Sequence, residues 1–192
     1  MAQTTSYGQE ARSDMDMTDA IELRRVTSED LDLFDHWFQS PEGASEFQWF
    51  GHFNSNPPRV ALAERQLLGG DANMLTVGWE DRPVGRVEWF QRSWGRRDTS
   101  SCWEIAIGIL PDFRGRGVGT TSQWMLVDYL FRHTRVDRIQ ATTDPANVAE
   151  ITCLERVGFQ LEGRIRRAQW RDGAWHDQLL YALLREEFSA AR

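Results

Sequence analysis

The sequence predicts an α/β (α+β) fold in three layers, with a mixed β-sheet between helices, and three observations predict it. Trp103 to Leu110 is a short, isoleucine-rich apolar run closed by Pro111. It passes through Gly115, Gly117 and Gly119 into an amphipathic segment with apolar Val118, Met125, Leu126, Tyr129 and Leu130. Strand-length and helix-length runs are mixed along the rest of the chain. Asp172-Gly173 lies between two long runs, which is a strong hairpin signal.

Taken in order, Met1 to Thr18 is polar and has almost nothing to bury, so it reads as a disordered extension, with Met15 and Met17 as alternative starts. The domain then spans Asp19 to Phe188, and Ser189 to Arg192 form a tail. Ile21 to Val26 alternates as a first strand. Thr27-Ser28-Glu29-Asp30 has an acidic residue three places after a capping threonine and opens a helix with Leu31, Phe34, Trp37 and Phe38 on one face. Ser40 to Asn56 is a loop rich in aromatics, Phe47, Trp49, Phe50 and Phe53, followed at Pro57-Pro58 by a helix through Leu68. Such a loop either covers the core or lines a binding site. Met74 to Glu80 and Val84 to Gln91 are strands joined by Asp81-Arg82-Pro83. Arg92 to Ser101 is a polar loop. After the glycine turn come a helix to His133, a strand from Arg138 to Thr143 and a helix from Val148 to Val157. Phe159 to Trp170 and Ala174 to Leu184 form the closing hairpin.

The chain has 192 residues, enough for one domain that buries about 70% of its unfolded surface. Cys102 and Cys153 supply neither a disulfide framework nor a C-x-x-C metal pair, which points to a reducing cytoplasm and no metal. No apolar run reaches the length of a membrane span, and the N-terminus lacks the apolar core of a signal peptide. A net charge of −7 argues against nucleic acid as a partner and favours cationic small molecules or basic peptide ends.

Strand, glycine turn and helix together suit a phosphate, because glycines let several backbone N–H groups converge and the helix N-terminus adds partial positive charge. A tight turn with a solvated arginine is the alternative. No Lys-Ser or Lys-Thr follows the last glycine, and no G-x-G-x-x-G with a later acidic residue is present. What stands there, Arg114-Gly115-Arg116-Gly117-Val118-Gly119, resembles the R/Q-x-x-G-x-G/A signature of the GNAT N-acetyltransferases. Asp144-Pro145-Ala146-Asn147, then Gly158-Phe159 and Glu162-Gly163, resembles the D-P-x-N and G-F-x-x-E-G ending of the RimJ/RimL branch. Asp172 to Asp177 and Tyr181 to Leu184 continue the likeness.

The resemblance implies a twisted mixed sheet, splayed near its middle at an acetyl-coenzyme A site. It also implies pantetheine held by Ile107, Gly108 and Ile109, and phosphates held by Arg114, Gly115, Arg116, Gly117, Val118, Gly119 and Thr120. Asn147 either caps its helix or bonds the pantetheine arm. The aromatic loop, through Trp49, Phe50 and Phe53, would border the acceptor, which is a small amine or a peptide N-terminus. A homodimer is admitted.

Acetyl transfer needs a base to take the proton of an ammonium group. Glu104 is the one acidic residue on the strand leading into the glycine turn, so it is either that base or a surface glutamate. Glu88 and Asp177 are further candidates for shaping the acceptor site, although Asp177 could simply pair with Arg164 or Arg166. The family's usual acids for the leaving thiolate are a tyrosine where this chain has Leu154 and a serine where it has Glu150, so no acid is assigned. Two other functions stay open: use of another acyl donor, or coenzyme A binding without turnover, and a non-enzymatic interaction module suggested by nine tryptophans.

Overall fold

The computed structural model describes residues 20–190. The extension expected over Met1 to Thr18 lies outside the described residues. Seven strands form one sheet in the order β1-β2-β3-β4-β5-β7-β6. These are β1 (Ile21–Arg24), β2 (Ala72–Trp79), β3 (Arg82–Ser93), β4 (Ser101–Ile109), β5 (Arg138–Thr143), β6 (Gln160–Arg171) and β7 (Ala174–Leu184). Neighbours are antiparallel except β4 and β5, which run parallel and are connected through α4 (Val118–His133). The remaining helices are α1 (Ser28–Phe38), α2 (Pro41–Ala44), α3 (Asn56–Ala63), α5 (Val148–Val157) and α6 (Arg185–Ala190). Among the described residues no helix is long and apolar enough to cross a membrane.

The core has two parts, one on each face of the sheet. On one face Leu126, Val127 and Leu130 of α4 have no exposed area and pack with Val77, Val87 and Ile139. Each such side chain contributes about 1.5–3 kcal/mol by leaving water. On the other face Phe34 and Phe38 of α1 pack with Met74 and Leu110.

The start of α1 follows its sequence signal. Thr27 accepts from the Asp30 N–H, and Asp30 Oδ2 accepts from the Thr27 N–H at 2.9 Å. The same carboxylate accepts from Arg24 at 2.6 and 2.8 Å and from the Thr76 hydroxyl at 2.9 Å. One buried aspartate thus joins β1, α1 and β2.

Several boundaries differ from those expected. β1 stops at Arg24, leaving Val26 to the α1 side of the core. α3 ends at Ala63 instead of Leu68, because Arg65 takes a left-handed conformation (φ 59°) and the Gln66 N–H donates back to Ala61 O. The β2–β3 turn is made by Glu80 and Asp81, both at positive φ, so Arg82 already pairs with Trp79. Pro83 then lies beside the irregularity between Val77 and Gly78, where a strand tolerates a missing N–H. α2 was not expected, although Ser40-Pro41 is a helix start, and the Ser40 hydroxyl accepts from the Gly43 N–H. At the other end α6 continues to Ala190, through the first residues of the expected tail. Throughout, every one of the chain's 22 Lys/Arg positions is arginine.

Burial works to raise the Asp30 pKa, but the bonds from Arg24, the Thr27 N–H and Thr76, with the Arg24 charge, outweigh it and hold it below the usual carboxylate range. The contribution is therefore present above the ordinary value of 3.8 and is lost as pH falls through the lowered folded value. Asp30→Ala should cost about 2–3 kcal/mol in chemical denaturation at neutral pH, less than a fully buried pair because Arg24 keeps some contact with water. The difference from the parent should shrink in strong acid.

Candidate active site

β4 and β5 share two register pairs, Trp103 with Ile139 and Glu104 with Gln140, although β4 runs on to Ile109 and β5 to Thr143. Past that point β4 stays with β3 and β5 stays with β7. The sheet therefore opens into a wedge between the carboxyl ends of two parallel strands, where open α/β sheets bind ligands. Ile107, Gly108 and Ile109 line the β4 side of it and are half-buried.

At the end of β4, residues 114–119 turn the chain into α4. Gly115 and Gly117 have φ of 70° and 80°, and Gly117 caps the helix with no side-chain bond. The N–H groups of Val118, Gly119 and Thr120 belong to the first turn and have no carbonyl within the helix to bond. Glycines at positive φ, an open helix N-terminus and a cationic flank fit a pyrophosphate. Arg116 is exposed, its guanidinium 6.0 Å from the Trp79 and Phe113 ring centres. Arg114 is more engaged than the sequence suggests: it donates to Ile109 O at 2.8 Å and to Gly43 O in α2.

Glu104 stands at the apex of the wedge. Its carboxylate accepts from Gln140 Nε2 at 2.9 Å and from Arg92 at 3.2 Å. Gln140 is held in turn by Trp94 Nε1, which donates to its Oε1 at 3.0 Å. Directly opposed residues of antiparallel strands share a face, so Glu104, Ala106 and Gly108 lie on the face covered by α1. That cover is incomplete. A Cβ on Gly108 would press on Phe38 at 2.9 Å, yet Ala106, in mid-sheet, is exposed. Glu88 pairs with Ala106 across the ladder, and its carboxylate is 3.1 Å from Arg86. The window at Ala106 is thus flanked by two carboxylates, each beside an arginine.

The aromatic loop lies between α2 and α3. Phe50 and Phe53 are about half exposed, whereas Trp49 is partly covered and meets His52 edge-on. Arg171 donates to the Phe47 carbonyl and, at 2.7 Å, to Asp144 Oδ2 in a pair that is almost fully buried. The D-P-x-N aspartate therefore holds an arginine that holds the loop. Asn147 caps α5 by accepting from the Glu150 N–H at 3.3 Å. Its amide N–H groups donate to no described residue. Asp177 accepts from Arg164 at 2.6 Å and from the Arg167 N–H at 2.8 Å, within the irregular stretch of the β6–β7 ladder.

Gln140, Arg92, Arg171 and Gln123 were not singled out from the sequence. A glutamine between Ile139 and Ala141 in a buried strand was a usable signal for Gln140. The others depend on partners distant in the chain. Gln123, on α4, donates to both Glu150 oxygens at 3.0 and 3.1 Å. Desolvation between the helices, opposed by that bond, raises the Glu150 pKa to about 7. One turn along, the Thr120 hydroxyl meets Cys153 Sγ at 3.1 Å. Among the described residues no group of three or more His, Cys, Asp or Glu could hold a metal.

Residues 20–160 match the family model described as an acetyltransferase (GNAT) domain. The probable N-acetyltransferase YjcK of Bacillus subtilis is 28% identical over 176 residues, covering 88% of this chain and 91% of that protein. The fold also matches the spermidine N-acetyltransferase from Vibrio cholerae, solved in complex with CoA and spermine. That likeness has a TM-score of 0.75 at 18% identity and covers 89% of this chain and 99% of that one. A further match is RimL, the ribosomal L7/L12 alpha-N-protein acetyltransferase solved with coenzyme A, with a TM-score of 0.71 at 18% identity over 88% of this chain and 96% of that one.

The glycine turn can be tested without disturbing the fold. Substituting Gly117 forces a side chain into a left-handed position, so it probes strain as well as ligand approach. Gly119 is helical, and a Cβ there would meet nothing closer than 3.9 Å. Gly119→Ala should keep or slightly raise the melting temperature and yet weaken coenzyme A binding about tenfold or more in calorimetry, where each tenfold is about 1.4 kcal/mol.

Proposed function

The chain belongs to the GNAT acetyltransferase family and is an acyl-coenzyme A-dependent N-acetyltransferase, and from that premise we propose that Glu104 is the base for direct attack of a primary amine on acetyl-coenzyme A. The observation that carries this reading is the place of Glu104, where β4 and β5 part and beside the exposed Ala106. A thioester lying in the wedge would present its carbonyl there, and an amine would reach it through the window.

An ammonium group must lose a proton before its nitrogen has a lone pair to offer. A carboxylate with fixed partners meets that need: Gln140 sets its orientation, while Arg92, more exposed, leaves it open to water. The nitrogen then attacks the carbonyl carbon, its proton passes to Glu104 directly or through one water, and collapse of the adduct releases thiolate.

The acceptor is a small polar cation or a protein N-terminus. Glu88 and Glu104 give the window two carboxylates, and the exposed Phe50 and Phe53 offer ring faces to an ammonium group. Spermidine for one structural relative and a protein α-amine for another represent the two kinds of acceptor.

Mixing the protein with acetyl-coenzyme A and a panel of polyamines, aminoglycosides and peptide amines should release thiol with at least one of them. Glu104→Gln should retain donor affinity and lose roughly 10²–10⁴-fold in rate. The loss should shrink as pH rises and more acceptor is already unprotonated. A variant profile parallel to the parent's, at similar rate, would remove Glu104 from the role.

A further inference from the structure

From the bonds around Gln140 we infer that Trp94 is a positioning residue for Glu104: its indole N–H holds the Gln140 amide so that the N–H end of that amide, and not its carbonyl, meets the Glu104 carboxylate. It rests on Glu104 being the base.

Trp94 begins the loop between β3 and β4 and is 64% exposed, so little of its ring is spent on the core. Its one polar side-chain atom is nevertheless committed. Nε1 donates across to β5, to Gln140 Oε1 at 3.0 Å, and the Arg138 guanidinium lies 5.7 Å from the ring centre. The backbone is fixed as well, since the Trp94 N–H donates to Ser100 O at 3.0 Å and ties the two ends of the loop together.

Gln140 is 5% exposed, and its side chain has an accepting end and a donating end of nearly the same shape. The surroundings decide which way it faces. Besides Trp94, Oε1 accepts from Cys102 Sγ and from Arg138 Nε, each at 3.4 Å. Indole and guanidinium N–H groups only donate, so turning the amide over would set N–H against N–H. The other end then has one direction to take, and Nε2 donates to Glu104 Oε2 at 2.9 Å. Of the three donors to Oε1, Trp94 is the nearest. A thiol donates weakly, and Arg138 already gives two N–H groups to Glu162, each at 2.6 Å.

The place of these bonds explains what they are for. Glu104 with Gln140 is one of the two register pairs at which β4 and β5 meet, so the amide holds the carboxylate where the sheet begins to open. With the amide reversed, its carbonyl oxygen would face a carboxylate oxygen. The carboxylate would then swing toward its other partner, Arg92, whose side chain is 52% exposed. A shift of about 1 Å at a reacting group costs on the order of 10²-fold in rate. Losing Trp94 alone costs less than that, because Cys102 and Arg138 still favour the same orientation of the amide.

The test uses the full chain with acetyl-coenzyme A and an amine found to release thiol. Trp94→Phe keeps an aromatic ring beside Arg138 and removes the N–H. It should lower kcat about tenfold, the worth of one hydrogen bond, and leave the melting temperature and the calorimetric Kd for acetyl-coenzyme A near those of the parent. Trp94→His should recover most of that loss, because the imidazole Nε2 stands at the same place in the five-membered ring as the indole Nε1 and carries a proton there. In a Glu104→Gln background, Trp94→Phe should cost less than about twofold, since a residue that works only through the carboxylate has nothing left to position. Independently of turnover, the Trp94 indole N–H resonance, identified by its loss in Trp94→Phe, should be protected from exchange with water and should exchange about tenfold faster in Gln140→Leu. Parental kcat in Trp94→Phe, equal losses in the Phe and His variants, an undiminished loss in the Glu104→Gln background, or an unprotected resonance in the parent each overturns the assignment. Parental rate in Glu104→Gln alone removes the base reading, and the role of Trp94 with it. A parent that releases no thiol with any amine overturns the acetyl-transfer reading and all that rests on it.

Discussion

Two backbone register pairs hold the halves of this sheet together at its centre, and the rest of the molecule is arranged around how little that is. β1 to β4 form one antiparallel half and β5, β7 and β6 the other, joined through Trp103 with Ile139 and Glu104 with Gln140. A parallel ladder of two pairs would not keep the halves in register by itself. The fully buried face of α4 adds to that adhesion, since its leucines share one core cluster with residues from strands of both halves. The opening is therefore built into the hydrogen-bond pattern, and a ligand can enter it without any strand pair having to break.

Polar bonds close the molecule on the other face of the sheet. Gly43 and Phe47 give their carbonyl oxygens to Arg114 and Arg171, which come from opposite sides of the wedge. The short helix and aromatic loop thus bridge the opening and are pinned by backbone atoms, leaving the ring faces of Phe50 and Phe53 uncommitted. Arg171 holds its position only because Asp144 neutralises it in a nearly dry setting, and Asp144 also accepts from the Ala146 N–H ahead of α5. A position at the end of β5 is in this way coupled to the aromatic loop.

The parts of the fold that were legible in the sequence are those with local chemical causes. β5 and α5 fall where expected, because Asp144-Pro145 ends the strand, Asn147 caps the helix and Gly158 at φ 107° ends it. The capping box at Thr27 and the hairpin at Asp172-Gly173 are equally local. Two of the misplaced boundaries lie where residues other than glycine take positive φ, at Arg65 and at Glu80-Asp81, for which composition carries no warning. The same division holds at the candidate site. The glycine turn and Glu104 could be picked out from one stretch. The residues that orient Glu104 are 12 and 36 positions away from it, and those that hold the loop are further still. Such distances erase any spacing pattern.

The arginine-only cation set has a chemical consequence for a protein whose donor is a reactive thioester. Lysine side chains become acceptors themselves whenever they lose a proton, and an amine held near a bound thioester would be consumed by it. A guanidinium stays protonated around neutral pH and has no lone pair to attack with. Using it in pairs from Arg24 with Asp30 to Arg171 with Asp144, in place of lysine throughout, leaves the sequence without a single side-chain amine. Its own side chains are thereby immune to acetylation on nitrogen by the donor it carries, and a foreign amine meets no side-chain amine of the protein as a competitor for the acetyl group.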